Sequence, residues 1–329
     1  MQWIVDTHND VLGAIEKQQR DFRTRSTVGH TDLPRLLESG MRLEFFSCFL
    51  PPAYKPERAL CQQLEIVDRF WRVVGDDPEH FRPVLTRADV AALDSDPRVG
   101  ALISLEGAEA VTSLGVLRMF YRLGVRCIAL TWNERNHLAD GVGMEAGGGG
   151  LSALGLEVVR EMQRLGILFD VSHIHPRGFW HYVENSAGPF IASHSNAKAV
   201  WEHRRNLDDD QIRAIAARDG SIGLNFAPAF VHEGARLEHV LDHADHMLSL
   251  VGDRHVHIGA DFDGIDATPE GLEDVTRLPA LAEAMLGRGY PDETVRRILG
   301  ENMKRVLLAV LPAAGQGTQG PSGQAAIHG

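Results

Sequence analysis

Short apolar, β-branched or aromatic runs alternate with longer amphipathic stretches along nearly the whole 329-residue chain. The runs at 3–5, 43–49, 101–105, 125–130, 168–171, 190–192, 222–225 and 256–259 predict strands. Between them, 59–74, 156–165 and 209–217 carry apolar residues at helical spacing and predict amphipathic helices. Eight strand–helix units in succession are the pattern of a (β/α)8 TIM barrel. A doubly wound sheet would need a glycine-rich phosphate loop after its first strand, and none is present. The glycine run at 147–150 has neither a G-K-[ST] nor a G-x-G-x-x-G register, and reads as a flexible loop or flap. One barrel domain over 1–312 is expected, followed by a disordered polar tail at 313–329 rich in Gly, Gln, Ala and Ser.

Hydrophobic residues make up 44% of the chain and charged residues 24%, close to globular averages, so a large core can be buried. With 45 acidic and 33 basic side chains the net charge is −12. That balance argues against nucleic acid and anionic membrane as partners, because both reward clustered Lys and Arg. Cys48, Cys61 and Cys127 show no C-x-x-C spacing, so neither a disulfide framework nor a thiolate zinc site is expected, only packed, reduced thiols. No signal-peptide pattern and no apolar run long enough to span a bilayer is visible, and the expectation is a cytoplasmic protein.

In barrels of this class the chemistry lies at the C-terminal ends of the strands. The first predicted strand ends Asp6-Thr7-His8-Asn9-Asp10, the third Ser104-Leu105-Glu106-Gly107, and the fifth Asp170-Val171-Ser172-His173. The sixth ends Ala192-Ser193-His194-Ser195 and the eighth Gly259-Ala260-Asp261-Phe262-Asp263-Gly264. His8 and Asp10 are two apart, so on a strand both project to one face and can grip one ion. His173 and His194, from neighbouring strands, can hold a second, with Glu106 between the pairs offering one oxygen to each. Imidazole and carboxylate without thiolate suit Zn²⁺, Mn²⁺ or Fe²⁺ in a catalytic site. Two such ions about 3.5–4 Å apart can share a hydroxide that is nucleophilic near neutral pH.

These motifs, with Arg204-Arg205-Asn206, resemble the membrane dipeptidase (renal dipeptidase, peptidase M19) family of the amidohydrolase superfamily, in order and from about residue 4 to 310. The resemblance implies a (β/α)8 barrel with two zinc ions: His8 and Asp10 on one, His173 and His194 on the other, Glu106 bridging. It implies that Arg205 receives the substrate's terminal carboxylate, where a planar guanidinium can bind both oxygens. It implies that Asp261 moves the proton from the nucleophile to the leaving amine. The activity implied is hydrolysis of dipeptides, including those with a D-residue after the scissile bond, by a homodimer. A metal-dependent amidohydrolase acting on N-acyl amino acids or other small amides is the alternative.

Two positions depart from the better-known animal members. Leu130-Thr131 is followed by Trp132 rather than His, with Asn133 and His137 as substitute donors. Asn225-Phe226 is followed by Ala227 rather than Tyr. Elsewhere, His239, His243 and His246 share one helix face without the glutamate of H-E-x-x-H, and read as a solvated or dimer-facing outer helix. His255 and His257 flank the start of the last strand at the barrel's stability face and are assigned no chemistry. Asp6 and Asp263 read as supporting residues, and the run 208–210 as negative charge at a helix N-terminus.

Overall fold

The computed structural model describes residues 3–144 and 148–314. Its strands are β1 (Val5–Asn9), β2 (Leu43–Phe49), β3 (Phe81–Pro83), β4 (Val99–Glu106), β5 (Val125–Ala129), β6 (Leu168–Asp170), β7 (Ile191–Ala192), β8 (Ser221–Leu224) and β9 (Val256–Ile258). They pair in the order β2-β1-β9-β8-β7-β6-β5-β4-β3, and β2 also pairs with β4. That extra pairing closes eight parallel strands into a barrel and leaves β3 on the outside, hydrogen-bonded only to β4. The fold is therefore a (β/α)8 barrel with one additional short strand.

β3 escapes the hydropathy pattern because three residues, one of them Pro83, carry too little signal. β1 differs from expectation in the opposite way. The apolar run stops at Val5, yet the strand runs on through Asp6, Thr7, His8 and Asn9. These polar residues are fully buried because the segments after β7 and β9 and a loop supply partners. Thr7 Oγ1 donates to the Ser193 carbonyl at 2.6 Å, Asn9 Nδ2 donates to Thr31 Oγ1 at 2.8 Å, and Asp6 accepts from the Ala260 amide at 2.8 Å. A buried polar group so satisfied costs little, so hydropathy alone misplaces the boundary.

The floor of the barrel is apolar. Val5, Leu43, Leu168 and Ile191 pack with Met303, Val306, Leu307 and Leu311, which belong to or follow the helix Asn302–Val310. Outer helices are fixed by side-chain caps: Ser113 accepts from Val116 N, Ser152 from Gly155 N, and Asp208 forms a reciprocal capping box with Gln211. With its floor sealed by hydrocarbon, the barrel gathers buried polar side chains at the other end.

Some expectations change. His243, on the helix Leu237–Val251, is neither solvated nor at an interface: it is fully buried, taking a hydrogen bond from Ala197 N and donating to the Val231 carbonyl. Cys61 is exposed rather than packed, whereas Cys48 and Cys127 are buried. The proposed flap at 147–150 lies partly outside the described residues, as does nearly all of the proposed tail at 313–329.

Candidate metal centre

Six donors converge where β1, β4 and β9 end and where the loops leave β6 and β7. His8 is the penultimate residue of β1, and Asp10 lies just beyond the strand, opening the helix Val11–Lys17. The shared face of a continuous strand is therefore not what brings them together. The chain turns at Asp10, whose amide donates to the Phe262 carbonyl at 2.9 Å, while the Asp261 amide donates to the His8 carbonyl at 3.1 Å. This backbone clasp carries pairing between β1 and β9 past their ends and places Asp10 and Asp261 on either side of His8.

The resulting distances are short. His8 Nε2 lies 3.4 Å from Asp10 Oδ2, 3.4 Å from Glu106 Oε2 and 3.9 Å from Asp261 Oδ1. The other oxygen of Glu106, Oε1, lies 2.9 Å from His173 Nε2 and 3.9 Å from His194 Nε2. The two imidazole nitrogens of His173 and His194 are 2.8 Å apart. Bond lengths of about 2.0–2.2 Å around a tetrahedral zinc imply donor–donor edges of about 3.3–3.6 Å, which the two 3.4 Å contacts match. His8 Nε2 and Asp10 Oδ1 are buried without any hydrogen-bond partner, an arrangement native proteins rarely tolerate unless something else binds there.

Charge makes the same demand. Burial pushes Asp261 up to about 7, with the charges of Asp10 and Glu106 adding to it, and burial and Glu106 also raise Asp10. Against its own burial, His8 is held well above its ordinary value by Glu106 and Asp10. Burial drives His173 down to about 3, helped by the Arg205 charge, and drives His194 well below its ordinary value, helped by the charges of His8 and Arg205, so both remain neutral and offer lone pairs. Three enclosed carboxylates beside the neutral His173 and His194 supply oxygen and nitrogen donors of the type zinc prefers.

Supporting residues orient the donors. Asn133 Oδ1 accepts from His173 Nδ1 at 2.9 Å, which leaves Nε2 for the centre. Ser193 Oγ lies 2.7 Å from His194 Nδ1 and donates to Asp170 Oδ2 at 2.5 Å, forming a carboxylate–hydroxyl–imidazole relay. Asn225 Nδ2 donates to Asp261 Oδ2 at 3.0 Å, turning Oδ1 towards His8. Both His173 and Asp261 have left-handed backbones, φ 67° and 65°. Such strain persists only where surrounding structure enforces it. Gly264 permits the close approach of the last loop, since a Cβ there would come within 2.2 Å of Asp10 Oδ2 and 2.6 Å of Asp261 Oδ1.

Arg205 is buried in the loop after β7, near enough to His173 and His194 to depress both. One of its amino groups donates to the His194 carbonyl at 3.1 Å, while its Nε has no partner. It lines a cavity of about 60 Å³ together with His173, Ser195, Val142, Val171 and Ile174, and the Ser195 hydroxyl is likewise buried and unpaired.

Of the two substitute donors considered for the Trp132 position, only Asn133 reaches the centre. His137 turns away, its Nε2 donating to the Val111 carbonyl at 2.8 Å. Asp263 accepts from Arg20 and from the His30 and Thr31 amides, tying that loop to the barrel rather than joining the donors. Asp6 takes the His8 and Ala260 amides on Oδ1 and so braces β1 from behind. Sequence reading gave Asn225, Ser193 and Asp170 no role. Their signal was position, since each lies at or directly after a strand end, beside a donor or across from one.

The family model of membrane dipeptidases, peptidase family M19, matches residues 2–318. A curated relative, the uncharacterized dipeptidase C965.12 of Schizosaccharomyces pombe, is 34% identical over 92% of this chain and 79% of its own length. Dipeptidase verJ of Clonostachys rogersoniana is 33% identical over 93% of this chain and 84% of its own. A solved metallo peptidase from Rhodobacter sphaeroides, liganded with a phosphinate mimic of L-Ala-D-Ala, superimposes with a TM-score of 0.88 at 30% identity. That match covers 93% of this chain and 99% of the other.

Proposed function

The chain belongs to the membrane dipeptidase family, peptidase family M19, and is a metallo dipeptidase; from that premise we propose that it works with two zinc ions held by His8, Asp10, Glu106, His173 and His194. The observation that carries this reading is the division of one carboxylate. Glu106 Oε2 faces His8 while Oε1 faces His173 and His194, the arrangement a residue shared by two ions requires. Two divalent cations at such a centre supply the charge that acidifies a water and polarises the scissile carbonyl.

The remaining roles follow from the residues themselves. Asp261, poised about 7 and fixed by Asn225, accepts the proton of the attacking water and delivers it to the leaving amine. Arg205 has an unpaired, buried Nε and binds the substrate's terminal carboxylate, so a chain with one residue after the scissile bond spans the distance to the centre and a longer one does not. The small cavity beside Arg205 receives that last residue, and by analogy with the L-Ala-D-Ala mimic bound in the Rhodobacter protein, a D-residue is accepted there.

The test is elemental analysis of the purified protein together with turnover of L-Xaa-L-Xaa and L-Xaa-D-Xaa dipeptides, with and without a chelator. Two zinc equivalents and chelator-sensitive hydrolysis are expected. A single equivalent at full activity would remove the bridging role of Glu106. An Arg205→Ala variant that cleaves dipeptides with an unchanged KM would remove the carboxylate assignment.

A further inference from the structure

One sector of the mouth is lined by aromatic rings that the chemistry so far leaves unused. Phe49 closes β2 in register with Glu106 on β4, and paired residues of adjacent parallel strands project to the same face. The Phe49 ring therefore shares its side of the sheet with the carboxylate at the heart of the centre. Trp132, on the loop after β5, lies with its ring 5.2 Å from that of Phe49 and 6.0 Å from the His173 imidazole. Both aromatic side chains are half-buried, so a continuous, partly open aromatic wall runs from His173 to the end of β2.

Its position relative to Arg205 gives the wall a direction. In the closed ring β2 is four strands from β7 either way round, hence opposite the loop that carries Arg205. A substrate anchored by its terminal carboxylate at Arg205, with its peptide bond over the donors, extends its N-terminal residue towards β2 and the adjoining β4–β5 edge. This placement rests on the carboxylate role proposed for Arg205.

The charges nearby are already spent. Lys55 Nζ lies 5.4 Å from the Trp132 ring and 5.9 Å from that of Phe49, and it pairs with Glu109 at 3.0 Å and Glu134 at 3.1 Å. These contacts tie three loops together beside the rings and hold Lys55 between two carboxylates that already neutralise it.

We propose that Trp132 and Phe49 form the subsite for the N-terminal side chain and select dipeptides whose first residue is apolar, above all flat and aromatic, over charged ones. A flat side chain removes more apolar area from water against such a wall than a methyl group does.

The experiment measures kcat/KM of the metal-loaded enzyme on L-Phe-D-Ala, L-Ala-D-Ala and L-Glu-D-Ala. It compares wild type with Trp132→Ala, Phe49→Ala and Trp132→Phe, with metal content recorded for each. Wild type is expected to prefer Phe over Ala at the first position by about tenfold or more, with Glu the poorest. Trp132→Ala should erase most of that preference while the rate on L-Ala-D-Ala falls less, Phe49→Ala should do so in part, and Trp132→Phe should keep it. Should an alanine variant fail to retain metal, Trp132→Phe and Phe49→Leu decide: the preference must persist in the first and fall about threefold or more in the second. A preference unmoved by Phe49 and Trp132 substitutions, or absent from wild type, overturns the wall while leaving the dipeptidase centre standing. A wild type that cleaves none of the three overturns both.

Discussion

His257 and His8 are both buried histidines of inner strands, and they differ in what their nitrogens meet. His257 has Ser221 Oγ at 2.7 Å on Nδ1 and Thr7 Oγ1 at 2.9 Å on Nε2, so both ring positions are filled from within the barrel. His243 is equally saturated, by an amide and a carbonyl. His8 leaves Nε2 unpaired among three carboxylates, and His173 and His194 turn their Nε2 atoms on one another. The carboxylates divide in the same way: Asp263 is satisfied by an arginine and two amides, whereas Asp10 Oδ1 has nothing. Burial of polar residues is common to both regions. What distinguishes a reactive centre is unmet demand for a cation, kept in place by the supporting hydrogen bonds.

The comparison breaks most visibly at Asp261. Asp261→Asn keeps the shape and the partner Asn225 but cannot take a proton, so kcat should fall about 10²–10⁴-fold with metal content unchanged. Wild-type turnover in that variant would assign the proton to another group. On the saturated side, His257→Ala strands Thr7 and Ser221 and opens a cavity, costing about 2–4 kcal/mol in denaturant unfolding while metal stoichiometry stays the same. If metal were lost instead, the division drawn above would be wrong.

Ser193→Ala removes the link between Asp170 and His194 and should weaken metal affinity about 10–100-fold in chelator competition, with a smaller effect on stability. The mildest effect is expected behind the centre. Burial raises Asp6 to about 7, so its contribution to stability is complete below about 4 and is lost as pH rises through about 7. In metal-stripped protein, Asp6→Asn retains an oxygen for the His8 and Ala260 amides and has no such titration. The variant's Tm should therefore gain on wild type steadily between pH 4 and 7. A difference that does not vary with pH would show Asp6 ionised throughout.

Much of this was legible in sequence for a simple reason. Most barrel strands are apolar-rich runs, since a parallel sheet covered on both faces buries both, and each of the eight was found to within a few residues. The convergence of the candidate donors could be anticipated because such barrels place chemistry at strand ends, where His8, Glu106, His173, His194 and Asp261 stand out from apolar surroundings. β1 was misjudged because the partners that let Asp6 to Asn9 be buried as strand come from the segments just after β7 and β9 and from a distant loop. His243 was misjudged because helical periodicity reports which face it lies on, and not that Ala197 and Val231 meet it there.

By itself, then, the sequence determined the barrel, the donor types and their order around the ring, because these depend on local pattern and strand-end position. Only the tertiary structure decided that Asp10 joins His8 through a turn clasped to Phe262, and that the oxygens of Glu106 divide between two sets of imidazoles. It alone decided that Asn133 rather than His137 serves the centre, and that Trp132 meets Phe49. Those outcomes depend on contacts between residues from 26 to more than 250 positions apart, whose distances are set by barrel closure and loop packing, and no local pattern encodes them.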